Sequence, residues 1–195
     1  HSRNLFANDE KSKWKELFFK DQETKNGITV SCIDSKNART MRHEKPTTGG
    51  NLSIFVLGEV DVRVHARNNK NLASEIVDNY LSRIPSSDRI IILAIQPPKR
   101  EKPGDVEAHS GILEENFYRD CVDESGYDGR AEITMFMNQR LKERCDRKGI
   151  IFFNPWKSYI EDDGFVSFEN TDGVCHIKDP SSALEEIYGF INKEF

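Results

Sequence analysis

No apolar run in this sequence approaches the roughly 18 residues that a membrane-spanning helix needs, so no membrane span is expected. Cysteine is sparse. Cys32, Cys121, Cys145 and Cys175 stand far apart and form no Cys-x-x-Cys pair, which excludes the usual zinc spacing. A chain of 195 residues can also bury a core without a disulfide scaffold. Reduced, mostly buried thiols fit a cytoplasmic setting. A surplus of positive charge is missing as well. Lys and Arg number 28 against 33 Asp and Glu, for a formal net charge of −5. That disfavours a nucleic-acid partner, because phosphate contact needs a basic face. Internal repeats, low-complexity tracts and an initiator methionine are absent too. The start at His1-Ser2 reads as an expression scar, so other domains of a longer polypeptide are expected as partners.

What is present reads as one domain over 1–195, with 1–27 as an N-terminal helical extension. Residues 9–20 have amphipathic spacing, with Trp14, Leu17 and Phe18 on one stripe and Asp9 able to cap. Ile28 to Ile33 is a β-branched strand, and Leu52 to Leu57 is a second. Apolar residues recur at helical spacing over 70–84. Arg89 to Ile95 is apolar on both faces, as expected of a central parallel strand. Residues 129–147 predict a helix with Ile133, Met137, Leu141 and Cys145 inward and Gly149 closing it. Ile150 to Phe153 is the fourth strand, Gly164 to Phe168 a small extra one, and a last helix is expected from Asp179-Pro180. Alternating strands and helices imply an α/β sandwich around a mainly parallel sheet. In such sheets ligands bind beyond the carboxyl ends of the strands.

The most informative stretch is Gly58-Glu59-Val60-Asp61-Val62-Arg63-Val64-His65. If it stays extended, period two puts Glu59, Asp61, Arg63 and His65 on one face and the valines on the other. Such groups are costly to bury unpaired, so a polar network is expected, with Asp61 and Arg63 buried against each other. His43 with Glu59, Asp61 and His65 offers the residue types of a carboxylate–imidazole metal site. Ion pairing explains the same residues more simply, and neither a metal nor another cofactor is expected. Lys99 to Lys102 reads as a solvated loop. Near the last helix, Asp172 and His176 have the spacing of a carboxylate that can orient an imidazole for proton transfer.

Together these pieces resemble the SGNH (GDSL-type) hydrolase superfamily, in particular divergent members of polysaccharide biosynthesis with a Gly-Glu-(Ile/Val)-Asp-x-Arg signature. The matching residues are Gly58 to Arg63, the helix with Asn138-Gln139-Arg140-Leu141 before Gly149 to Phe153, and Asp172 to His176. They cover roughly residues 28–192. The resemblance implies a flavodoxin-like fold and a serine esterase, deacetylase or O-acyltransferase acting on a carbohydrate. It makes His176 the base and Asp172 its partner. Asp34-Ser35 matches the nucleophile motif, and Ser31-Cys32 is the alternative. Gly49 or Gly50 would supply an oxyanion glycine, while Val60 stands where typical members carry an oxyanion asparagine. Gly58, Glu59, Asp61, Arg63 and His65 would line the substrate site. Two other functions remain open at this point: a non-catalytic domain of the same fold that binds a glycan or a protein, and a metal-dependent hydrolase.

Overall fold

The computed structural model describes residues 30–33, 52–58, 61–62, 66, 69–84, 89–99, 128–171 and 177–195. The N-terminal helix expected over 9–20 lies outside them. Four strands form one sheet: β1 (Val30–Ile33), β2 (Leu52–Val56), β3 (Ile90–Leu93) and β4 (Ile151–Phe153). They lie side by side in sequence order, and every pairing is parallel. The register sets Ile33 beside Phe55, Phe55 beside Ile92, and Ile92 beside Phe152. Among the described residues, three α-helices accompany the sheet: α1 (Lys70–Arg83), α2 (Arg130–Lys148) and α3 (Ser181–Glu194).

Period two sorts the strand residues into two apolar layers. Phe55, Leu57, Ile90 and Ile92 face α1 and α2, where they meet Val77, Leu81, Met137 and Leu141. Leu52, Ile54, Val56, Ile91 and Leu93 face the other way, onto Trp156, Leu184, Ile187 and Ile191. The result is a three-layer α/β sandwich, as the alternation of elements implied. β3 has neighbours on both edges and helices on both faces, which is why its Ile-Ile-Ile-Leu run has no polar position.

α1 begins where the Asn69 side chain accepts the amides of Asn71 (3.0 Å) and Leu72 (3.1 Å), a side-chain N-cap. α2 ends at Gly149, whose φ of +66° is left-handed. The amide of Ile150 then donates back to the Cys145 carbonyl at 3.0 Å, satisfying a terminal acceptor. α1 and α2 run parallel and are joined at three heights: Lys70 to Glu132, Arg144 to Asp78, and Lys148 Nζ to the Leu81 carbonyl. The exposed ion pairs contribute at most about 1 kcal/mol each. Each fully buried Ile, Leu or Met beneath them contributes about 1.5–3 kcal/mol, so apolar packing holds the helix pair and the charges set its register.

Two expectations shift in detail. α3 starts at Ser181, with Pro180 before it; Asp179 Oδ1 accepts the Ser181 amide at 3.0 Å from one position further back. The extra strand at 164–168 is only a pair of single bridges, Val166 to Lys99 and Val166 to Ile160. Among the described residues, no helix is long and apolar enough to cross a membrane.

Candidate functional site

The carboxyl ends of β2, β3 and β4 open onto one layer of turns. Directly after β2 the backbone takes a left-handed step at Gly58, with φ +90°. A Cβ built there would lie 2.6 Å from Ile95 Cδ1 and 2.9 Å from Cγ1, so both the backbone conformation and the space call for glycine. The chain does not stay extended. Val62 N donates to Gly58 O at 2.9 Å and Ala66 N to Asp61 O at 2.7 Å, four- and five-residue steps of a helical turn. The backbone bonds are those of a turn and not of a strand, yet Val62 still points into the α1–α2 layer while Asp61 is half-buried. The Asp61 Oδ2 accepts the hydroxyl of Tyr80, a core residue of α1. The other half of the expected pair, Arg63, is outside the described residues, as are Glu59 and His65.

Beyond β3, residues 94–99 form a buried strap. Leu93 and Ala94 both pack toward α3, and Ile95 turns to the opposite layer, so the alternation slips by one residue as the strand leaves the sheet. Its backbone groups are met mostly by side chains and loops. Trp156 Nε1 donates to Ala94 O at 2.7 Å. Asn138, on α2, accepts from Ile95 N at 2.7 Å and donates to Ile95 O at 3.2 Å. Val166 N donates to Pro98 O at 2.9 Å, and Arg130 Nη2 to Lys99 O at 3.0 Å. Pro97 and Pro98 bring no N–H to satisfy. Buried backbone polar groups need such partners, and here they come from three separate elements.

Arg130 opens α2 with 2% exposure and forks onto Asp128: Nε donates to Oδ1 at 2.9 Å and Oδ2 at 3.0 Å, and Nη2 also donates to Oδ2. Lys99 beside it is 3% exposed, so at this position the expected solvated loop is instead part of the interior. These buried cations were not legible as such. The one local signal was Asp128-Gly129-Arg130 ahead of a helix, where Asp128 Oδ1 also accepts the Arg130 amide at 3.0 Å.

Beyond β4, Asn154 Oδ1 accepts the Trp156 amide at 3.0 Å. Tyr159 donates its hydroxyl to Asp179 O at 3.0 Å and accepts from Ala183 N at 3.3 Å, tying this layer to the start of α3. Burial pushes the Tyr159 phenol above its usual range. Thr171 and Ile177 form an antiparallel bridge, backed by Lys178 N to Asn170 O at 2.8 Å. That bridge pins both ends of the segment containing Asp172 and His176.

Of the residues expected to carry chemistry, Ser35, Asp172, His176 and His43 lie outside the described residues. The backbone of Ser31 is described: it sits inside β1, in register with Ser53. Among the described residues, no group of three His, Cys, Asp or Glu could hold a metal ion. No family model, no curated protein and no solved structure matches this chain.

Proposed function

We propose that this chain is a serine-dependent esterase, deacetylase or O-acyltransferase for a carbohydrate substrate. Ser35 is the nucleophile, His176 the general base and Asp172 the group that orients it. The single observation that supports this most is topological. β1 ends at Ile33, level with Phe55 near the end of β2, and Asp34-Ser35 follows at once. The Thr171–Ile177 bridge flanks the sequence that holds Asp172 and His176, and Ile177 belongs to the apolar layer that also contains Ala94 and Trp156, the residues just after β3 and β4. In parallel α/β sheets that edge is where substrates bind. Ser31 suits the nucleophile role less well, because it is paired within the sheet.

The deciding experiment treats the purified chain with a fluorophosphonate probe and maps the adduct by mass spectrometry, beside hydrolysis of p-nitrophenyl acetate and an acetylated sugar. Labelling at Ser35, lost in Ser35→Ala together with hydrolysis, is the expected result. No adduct and no turnover would replace the enzyme with a glycan- or protein-binding domain of the same fold.

A further inference from the structure

Asn138 is a half-buried polar residue of α2 that has been assigned no chemistry above. Its carboxamide does what a neighbouring strand would do. It accepts from the N–H of Ile95 and donates to the C=O of the same residue, at 2.7 and 3.2 Å. A side-chain amide can supply both an acceptor and donors, and neither a carboxylate nor an apolar side chain of that size can. Ile95 is thereby fixed against α2 after the strand alternation has slipped. Its side chain in turn occupies the space beside Gly58 that a Cβ would fill. Gly58 starts the helical turn whose amides at Val62 and Ala66 bond back to Gly58 and Asp61. The contacts thus run Asn138 to Ile95 to Gly58 to the turn that carries Asp61.

We propose that Asn138 is a positioning residue: through Ile95 it sets where the Gly58–Ala66 turn stands at the carboxyl edge. That turn carries Asp61, one of the groups assigned to the substrate site, so Asn138 governs how that carboxylate meets a substrate. This last step rests on the acyl-transfer reading, whereas the positioning itself does not.

Amide hydrogen exchange on the full chain tests it without any need for activity. In Asn138→Leu the Ile95 N–H and C=O lose their partners, and exchange at Val62 and Ala66 should speed up on the order of tenfold or more. Val77 in α1 and Leu184 in α3 should change much less. Asn138→Asp keeps an acceptor for the Ile95 amide and should fall between wild type and Asn138→Leu. Ile95→Val trims the methyl that abuts Gly58 without touching Asn138, and should loosen the same two amides. If Asn138→Leu fails to fold, Asn138→Asp and Ile95→Val carry the measurement. Unchanged exchange at Val62 and Ala66, or an equal rise at every protected amide, would overturn the proposal. In an ester assay kcat should fall while KM stays near wild type. A wild-type chain without esterase activity would remove the acyl-transfer reading and leave the exchange result to decide the positioning role.

Discussion

The indole Nε1 of Trp156 donates to the carbonyl of Ala94 at 2.7 Å, so the chain leaving β4 is tied to the chain leaving β3. Both residues are buried, Trp156 at 1% exposure and Ala94 at 0%. Trp156→Phe would keep most of the apolar area and leave that carbonyl unsatisfied. A buried acceptor without a partner costs about 1–3 kcal/mol. The expected result is a melting temperature lower by roughly 2–12 °C, read by circular dichroism. An unchanged melt would mean that the carbonyl has another donor.

Gly58→Ala should be more damaging than an ordinary surface substitution. The φ of +90° and the approach of Ile95 act together, and backbone strain of this kind costs about 1–3 kcal/mol. Because the clash is with Ile95 Cδ1, Ile95→Val should relieve part of it. A double-mutant cycle in urea is expected to give a favourable coupling of at least about 0.5 kcal/mol. Strict additivity would place the cost in the backbone alone.

The pair of Arg130 and Asp128 gives an asymmetric expectation. Arg130→Met leaves a carboxylate of 13% exposure without its fork. Breaking a buried pair from one side costs about 3–5 kcal/mol, and replacing both partners costs much less. Arg130→Met/Asp128→Asn should therefore be more stable to urea than Arg130→Met. The reverse order would show that Asp128 is well solvated without the arginine.

Alkali should weaken the fold through Cys145. Desolvation raises its thiol from an ordinary 9.0 to about 12. The proton is held more tightly in the folded chain. This contribution is complete below pH 9.0 and is lost as pH rises from there toward about 12. The slope for one such group is about 1.4 kcal/mol per pH unit. Burial raises Tyr159 in the same sense. Urea midpoints measured from pH 8 to 10.5 should fall with pH, and fall less steeply in Cys145→Ala. Equal slopes would show that the thiol is solvated in the folded state.

Asp172→Asn tests the catalytic assignment from another side. On the proposed mechanism the imidazole of His176 loses its orienting partner and counter-charge, and kcat for p-nitrophenyl acetate should drop on the order of 10³–10⁴-fold. Circular dichroism should show an intact fold. Full activity in this variant would remove Asp172 from the mechanism.

The sheet was legible because its signals are local. The double-sided apolar run at Ile90 to Leu93 predicted a central strand, and the four-residue spacing of Ile133, Met137, Leu141 and Cys145 predicted the buried stripe of α2. The turn after Gly58 was misread for a physical reason. Alternating valines favour extension only where a neighbour takes up the backbone hydrogen bonds. Past the carboxyl end of β2, Gly58 instead redirects the chain and the bonds close within a helical turn. Arg130 was missed, Lys99 was read as solvated, and the bonds of Asn138 and Trp156 were not foreseen, because their partners Ile95 and Ala94 are distant in sequence. Nothing in a helix marks one asparagine as the partner of Ile95, forty-three positions before it.

The two crossovers that lead from β2 to β4 lay α1 and α2 on a single face of the sheet. The opposite face is covered, among the described residues, by Trp156, Tyr159, Val166, Ile177 and α3, and every one of them follows β4 in the chain. Synthesis proceeds from the N-terminus, so Leu52, Ile54, Val56, Ile91 and Leu93 leave the ribosome before any of these partners exists. At roughly 5–20 residues per second, that apolar face is uncovered by them for seconds in each round of translation. Apolar surface left open in this way is prone to aggregation until the segment after β4 emerges and closes over it.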